Sequence, residues 1–161
     1  MSVILVIGRF QPFHKGHFFL LERLSNGGRN RLEIAIGSSN ARAGGENPFS
    51  WRERKRMIER VLRRKKLARF RTFPVPDTGR DADWLAAVLE RARPFDIVVS
   101  GNTWVLSTFS RAGFAAEGHK FLKKRLYSGT EIRRRIRAGR GQWKHLVERE
   151  VSEIIEKDSR G

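Results

Sequence analysis

The amino-terminal sequence Val3-Ile4-Leu5-Val6-Ile7-Gly8-Arg9-Phe10-Gln11-Pro12-Phe13-His14-Lys15-Gly16-His17 joins an apolar run to a loop that carries several cationic groups. The β-branched run 3–7 predicts a strand that is covered on both faces, as in a parallel sheet. Apolar periodicity over residues 18–24 then predicts a helix. Open α/β sheets bind ligands at the carboxyl ends of their strands, so the loop is a candidate binding site. The free N–H groups of the helix start make an anion the expected ligand.

His14 and His17 stand three residues apart at this helix start, a spacing that lets both rings face one point beyond it. Three interpretations remain open. A zinc site lacks a third ligand close by and has the cations Arg9 and Lys15 as neighbours. A structural pair would have His14 capping the loop and His17 packed in the core. Phosphate binding is favoured, because imidazoles, cations and a helix N-terminus converge within ten residues.

Length and composition favour one soluble domain, residues 1–161, without a second core. The sequence has no apolar run near the ~20 residues of a membrane span, and its start lacks the layout of a signal peptide. A cytoplasmic location is therefore expected. The chain contains no cysteine, which excludes disulfides and thiolate chemistry.

The net charge of +17 is extreme for a chain of this size. Basic residues concentrate in segments 52–71 and 120–140. A solvated basic surface, a field that attracts nucleotide phosphates and nucleic-acid binding are the three interpretations. Nucleic acid is the least favoured partner, because no recognition motif is evident and the aromatic residues have the spacing of core residues.

The rest of the sequence predicts alternating strands and helices. Further strands are expected at 32–36, 70–75, 95–100 and, with least support, 115–118. Helices are expected after a capping box at Ser50 and Glu53, where arginines should fill the exposed face, and from Ser128 to Ala138. Parallel strands joined by right-handed crossovers give a single three-layer, Rossmann-like α/β domain with helices on both faces of a mostly parallel sheet.

Local patterns also predict helix caps and the positions of two histidines. Asp81 or Asp83 is expected to cap a helix with Trp84 in its first turn, where an indole is either core or a stacking platform. Thr103 is a candidate cap for the helix after strand 95–100. His119 is expected at the surface, and His145 at an interface or a helix end.

His14-Lys15-Gly16-His17 matches the HxGH signature of the nucleotidyltransferase superfamily, and the longer string GRFQPFHKGH resembles the archaeal-type nicotinamide-nucleotide adenylyltransferases. The similarity continues in order through Asn47-Pro48-Phe49, Glu53-Arg54, Trp84, Pro94-Phe95-Asp96, Ser100-Gly101-Asn102 and Tyr127-Ser128-Gly129-Thr130-Glu131-Ile132-Arg133.

This resemblance implies adenylyl transfer from ATP to nicotinamide mononucleotide or nicotinic acid mononucleotide, with release of pyrophosphate. It implies Mg²⁺ held by the phosphates, no metal ligand from protein side chains, and a homo-oligomer, with hexamers among archaeal members. The implied catalytic residues are His14, His17, Arg9 and Arg133; the ATP-binding residues are Gly8, Phe10, Gly16, Gly101, Asn102, Ser128 and Thr130; the mononucleotide-binding residues are Trp84, Asp81 and Ser38.

The sequence departs from the family pattern at two points. Glu46 stands where some relatives carry an arginine, so a phosphate contact from that loop would have to come from Arg42. Thr103-Trp104 replaces a common Pro-Leu pair, a change expected to concern helix packing. Another HxGH transferase, acting on pantetheine phosphate or using CTP, and a basic nucleic-acid-binding protein remain the alternatives.

Overall fold

In the computed structural model, which describes residues 1–121 and 123–160, the strands are β1 (Val3–Gly8), β2 (Arg31–Ile36), β3 (Phe70–Pro74), β4 (Ile97–Ser100) and β5 (Ala116–Gly118). All pairings are parallel, and the strand order in the sheet is β3-β2-β1-β4-β5. The helices are α1 (Lys15–Ser25), α2 (Trp51–Arg64), α3 (Asp81–Arg91), α4 (Thr103–Arg111), α5 (Gly129–Ala138) and α6 (Arg149–Arg160), with a 3-10 turn at Lys144–Leu146.

The central strand β1 faces helices on both sides. Because side chains alternate along a strand, Ile4 and Val6 point to one face and Leu5 and Ile7 to the other. Ile4 and Val6 belong to a core with apolar residues of α1, α2, α5 and α6, whereas Leu5 and Ile7 belong to a core with residues of α3 and α4. The predicted three-layer α/β architecture is therefore confirmed.

Several predicted boundaries and caps differ in detail. The fourth strand begins at Ile97 rather than Phe95. The preceding residue, Asp96, accepts the N–H of Val3 with its carboxylate at 2.7 Å. The cap of α4 is Asn102 rather than Thr103: its Oδ1 accepts the N–H groups of residues 104 and 105.

The expectation that Asp81 or Asp83 caps α3 is wrong, because both lie inside the helix and the cap position, Arg80, makes no side-chain cap bond. Within the described ranges, every helix is too short or too polar to cross a lipid bilayer.

Candidate active site

A cavity of about 370 Å³ opens at the carboxyl ends of the strands. The segment after each of the five strands contributes residues to it, because parallel strands bring their carboxyl ends to one edge of the sheet. The residues that line it include Gly8, Arg9, Phe10, Gln11, His14, His17, Ser38, Asp77, Trp84, Ser100, Gly101, Asn102, Trp104, His119, Phe121, Thr130 and Arg133.

His14 and His17 form a capping box made of two imidazoles at the start of α1. The Nδ1 of His14 accepts the His17 N–H at 3.3 Å, and the Nδ1 of His17 accepts the His14 N–H at 3.1 Å. Their rings stack with centroids 3.6 Å apart. The structural interpretation of this pair and the phosphate-binding one are therefore compatible, since only one nitrogen of each ring is used by the cap.

Both imidazoles are held neutral. Burial, followed by the neighbouring His119, lowers the pKa of His14 to about 3. Burial, then His14 and His119, lowers the pKa of His17 well below its ordinary value. A neutral ring whose Nδ1 is an acceptor carries its proton on Nε2. Each histidine therefore has an N–H donor left for a ligand in the cavity that both rings line.

Aromatic rings fix the orientation of His17. Its ring stacks on Phe13 at 5.7 Å and meets the edges of Phe10 at 4.9 Å and Phe121 at 5.1 Å. Phe10 itself has φ 54°, a left-handed conformation that a bulky residue rarely adopts. Such backbone strain persists where surrounding packing holds it and is concentrated at functional loops.

The glycine of the HxGH signature is required by space. A Cβ on Gly16 would lie 2.9 Å from the His14 ring and 2.9 Å from the Cβ of Tyr127. Gly16 thus contributes by allowing close approach of the imidazole and the segment before α5, and it does not itself line the cavity.

Arg133 is the arginine of α5 that enters the cavity. It is buried, and its Nη1 donates to the Gln11 carbonyl at 2.8 Å while its Nη2 contacts the Thr130 hydroxyl at 3.3 Å. Burial, then the charge of Arg9, lowers the pKa of the Arg133 guanidinium. Arg134 and Arg135 instead form ion pairs with Glu131. The geometric prediction that the three arginines cannot all face the same ligand is confirmed.

Two buried side chains that received no role from the sequence join the site loops. The amide of Gln11 exchanges two hydrogen bonds with the backbone of Phe49, at 2.8 and 3.0 Å. Arg54 is 1% exposed and donates to the carbonyls of Arg9 and Gly37, both at 2.7 Å, and to those of Ser38 and Ser50. The expectation that the arginines of α2 lie on its exposed face is therefore wrong at position 54.

The other side of the cavity is aromatic and polar. Trp84 is 4% exposed and packs against Trp104 with ring centroids 4.6 Å apart. Ser38 donates to the Asp77 carboxylate at 3.1 Å, so Asp77 is the acidic group that reaches the cavity. Asp81 is exposed on the first turn of α3 and does not line it.

His119 lies at the wall of the cavity, contrary to the surface position expected for it. It follows β5, lines the cavity and lies against Gly101, where an added Cβ would be 3.2 Å from its ring. Its Nδ1 is the one fully buried side-chain polar atom without a hydrogen-bond partner in the described part of the chain. Burial, then Arg23, lowers the pKa of His119. The lowered pKa favours the neutral ring at the cavity wall.

Two residues that the sequence analysis considers for phosphate contacts, Ser128 and Arg42, do not line the cavity. The Ser128 hydroxyl caps α5 by accepting the Glu131 N–H, and Ser128 does not line the cavity. Glu131 does not return the capping bond, because Arg134 and Arg135 hold its carboxylate. Arg42 is exposed and outside the cavity.

The donor set offers little to a protein-bound metal. Among the described residues, no group of three or more His, Cys, Asp or Glu side chains is arranged to hold a metal ion.

The comparisons with known proteins agree with this geometry. Residues 5–135 match the family model described as cytidylyltransferase-like. A nicotinamide-nucleotide adenylyltransferase of Methanococcus aeolicus is 37% identical over 152 residues, covering 94% of this chain and 87% of that protein. One from Methanothrix thermoacetophila is 38% identical over 153 residues, covering 93% and 86%.

Solved structures share the fold. A bifunctional NMN adenylyltransferase/ADP ribose pyrophosphatase of Francisella tularensis, complexed with AMP and a Mn ion, superposes with a TM-score of 0.67 at 23% identity; it covers 99% of this chain, which spans 54% of that one. A nicotinic acid mononucleotide adenylyltransferase of Plasmodium falciparum, complexed with APC, gives a TM-score of 0.61 at 12% identity, with 99% and 96% covered. By sequence and fold, the chain belongs to the cytidylyltransferase-like family and, within it, to the nicotinamide-nucleotide adenylyltransferases.

Proposed function

We propose that this chain transfers the adenylyl group of ATP to nicotinamide mononucleotide, giving NAD and pyrophosphate. The observation that carries the proposal is the convergence of anion-binding groups at one end of β1: two imidazole N–H donors, the Arg9 and Arg133 guanidiniums, and the start of α1. Such a set suits two phosphates brought side by side.

The reaction is a direct displacement. A phosphate oxygen of the mononucleotide attacks the α-phosphorus of ATP; the new P–O bond forms as the bond to the bridging oxygen breaks, and pyrophosphate leaves with that electron pair. The hydroxyls of Ser38 and Ser100 are bonded to Asp77 and to the Ile7 carbonyl, and in the described ranges no imidazole accepts from them. This favours direct transfer over a covalent enzyme intermediate.

The side chains have separate tasks in this proposal. Arg9 and Arg133 supply fixed positive charge, and a guanidinium can hold two phosphate oxygens at once. His14 and His17 supply neutral Nε2–H donors, held in place by the cap and the aromatic rings. Donors positioned before the reaction stabilise the extra charge of the transition state without reorganising.

The cation in this proposal is Mg²⁺ that arrives with ATP and neutralises phosphate charge. The mononucleotide is placed beside Trp84 and Ser38, and the adenine nucleotide beside Gly8, Gly101, Asn102 and Thr130. A homo-oligomer, a cytoplasmic location and a single domain over residues 1–161 remain predictions, as does the role of the +17 charge.

The test is an acceptor panel. Purified protein is incubated with Mg²⁺, with ATP or CTP, and with nicotinamide mononucleotide, nicotinic acid mononucleotide or pantetheine phosphate, and the products are identified by mass. NAD or its acid form from ATP is the expected product. Dephospho-coenzyme A, a cytidylyl product, or no product from any pair would overturn the proposal.

One variant distinguishes the two roles of His14, which are capping α1 through Nδ1 and donating its Nε2–H to a ligand. Asparagine is among the best N-cap residues, so His14→Asn keeps an acceptor for the His17 N–H but loses the ring Nε2–H. We expect this variant to fold with nearly the parent stability and to lose about 10²–10³ in kcat, the usual effect of removing one positioned donor. A stable variant with parent turnover would limit His14 to its structural role.

A further inference from the structure

The edge of the sheet opposite the cavity carries an excess of positive charge. All strand pairings are parallel, so the segments that lead into β2, β3, β4 and β5 lie side by side at the amino ends of the strands. These segments are residues 26–31, 65–69, 92–96 and 111–115, and their one carboxylate is that of Asp96. Their cations are Arg29, Arg31, Lys65, Lys66, Arg69, Arg93 and Arg111.

Most of this charge is not neutralised within the described part of the chain. Lys65 lies 3.7 Å from Glu148, but the other cations of these segments have no carboxylate within salt-bridge distance there. Asp96 uses its carboxylate to accept the N–H of Val3. We call the remaining six exposed cations the basic edge: Arg29, Arg31, Lys66, Arg69, Arg93 and Arg111.

The sheet arranges the basic edge as a row. The Arg31 N–H donates to the Ser2 carbonyl at 2.9 Å, and the Leu32 N–H donates to the Arg69 carbonyl at 2.8 Å, so neighbouring segments are tied to each other. With about 4.8 Å between adjacent strands, the row extends over roughly 19 Å from β3 to β5. Double-stranded DNA presents about ten phosphates over that length. The row therefore suits an extended polyanion better than a single phosphate.

We propose that the basic edge is a binding surface for the phosphate backbone of nucleic acid, at the end of the molecule opposite the cavity. All members except Lys66 are arginines, and a guanidinium can hold two phosphate oxygens at once. An acidic protein or a lipid surface fits less well, because those interfaces are built around apolar anchors. In the described chain the exposed large hydrophobic residues lie outside these segments, at Met1, Phe19, Leu89 and Trp104.

From sequence alone nucleic acid is the least favoured partner, because no recognition motif is evident. A surface for the phosphate backbone needs no such motif, since phosphate contacts position a protein without reading the bases. It also gives a use to part of the +17 net charge that adenylyl transfer does not require.

The test is the binding of a short labelled DNA duplex and of a single-stranded RNA, measured by fluorescence anisotropy at several salt concentrations. If five or six phosphates are contacted, the logarithm of the association constant should fall against the logarithm of salt concentration with a slope of about −4 to −5 for the duplex. The combined substitutions Arg29→Gln, Arg31→Gln, Arg69→Gln and Arg93→Gln should make that slope shallower by about 3–4 and weaken binding on the order of 10²-fold at low salt.

The matched control removes the same charge elsewhere. Arg52→Gln, Arg56→Gln, Arg140→Gln and Lys157→Gln together change exposed cations outside the basic edge, and affinity should stay within about threefold of the parent because distant charges are screened. Equal losses in the two combined variants would overturn the proposal, since the net charge alone would then explain binding. If the edge variant does not fold, Arg29→Gln and Arg93→Gln should each reduce the slope by about 1.

Adenylyl transfer is an independent measurement. The edge variant should keep the turnover of the parent, and a saturating duplex should leave KM for ATP within about twofold, because the two surfaces lie at opposite ends of the strands. Competition between duplex and ATP would overturn the proposal by placing nucleic acid in the cavity. Absence of binding by the parent, or tighter binding to polyglutamate or to phosphatidylglycerol vesicles, would also overturn it. A parent that binds the duplex but makes no NAD would refute the proposed function alone.

Discussion

The buried guanidinium of Arg54 should be a main determinant of both stability and site geometry. It lies on α2, and its four hydrogen-bond acceptors are backbone carbonyls of the loops after β1 and β2 and of the helix cap. Burial, then the charge of Arg9, lowers the pKa of Arg54 to about 10. The side chain remains cationic at neutral pH and joins the two loops that carry Arg9 and Ser38.

The substitution Arg54→Met keeps the length of the side chain but removes all of its donors. The Ser50 and Ser38 carbonyls also accept backbone N–H groups, from Arg54 and Ala41, and keep those partners. The loss therefore falls on the Arg9 and Gly37 carbonyls, each held at 2.7 Å.

A buried carbonyl without a partner costs about 1–3 kcal/mol, and the variant leaves two such carbonyls. Removing the buried guanidinium charge offsets part of this cost. We expect the free energy of unfolding to fall by about 3 kcal/mol.

For a chain of this length that change corresponds to a decrease in Tm of about 6–12 °C. Urea and thermal unfolding measure it, and Arg60→Met is the matched control on the same helix. Arg60 is half exposed and pairs with Glu153 at 3.3 Å, an interaction worth at most about 1 kcal/mol. Equal stability of the two variants would refute the reasoning. If Arg54→Met does not fold, Arg54→Lys should still show an intermediate loss, because an ammonium can donate to two of the carbonyls.

Three further predictions concern the charged and titrating groups. Arg133→Lys should lower turnover on the order of 10²-fold, measured as pyrophosphate release at saturating substrates, whereas turnover of the exposed Arg134→Lys should stay within a few-fold of the parent. Equal, salt-sensitive losses in both variants would mean that the arginines act only as a diffuse positive field. His17→Ala should lower kcat by about 10²–10³ with little change in KM for ATP, and parent turnover would exclude its catalytic role. The pKa of His14 falls from 6.5 to about 3 on folding, so the unfolded chain takes up the proton first as pH decreases. The free energy of unfolding should therefore fall between pH 6.5 and pH 3, by up to about 1.4 kcal/mol per pH unit. Urea titrations at several pH values measure this slope, and His14→Asn should flatten it.

The sequence predicted the parts of this molecule that depend on local pattern. Buried strands such as β1 and β2 have continuous apolar runs, so the sheet and its ligand edge could be inferred. The same inference placed the HxGH loop and the Ser-Gly-Asn turn at one cavity. Arg133 could be separated from its neighbours because helical geometry turns consecutive residues by about 100°.

The residues that sequence reasoning missed depend on tertiary contacts. His119 enters the cavity because it follows β5, a strand of only three residues, too short for its alternation to be distinctive. Trp104 received a packing role because exposure cannot be read from residue type. Arg54 had a detectable signal: it lies three residues before Met57 and four before Ile58, on the apolar face of α2, where an arginine must find buried acceptors.

In the cavity, the arginines supply the positive charge and the two neutral histidines supply uncharged hydrogen-bond donors. Protonating His14 or His17 would place a further cation in the cavity that Arg9 and Arg133 also line. It would also remove the Nδ1 acceptor on which the start of α1 depends. The fold therefore opposes imidazolium formation in two independent ways, by burial and by the cap. Arginine, whose charge persists even when burial lowers its pKa, is then the residue that can supply constant charge to the phosphates. The histidines contribute direction instead, because a neutral ring fixed by its own cap presents one N–H along one line.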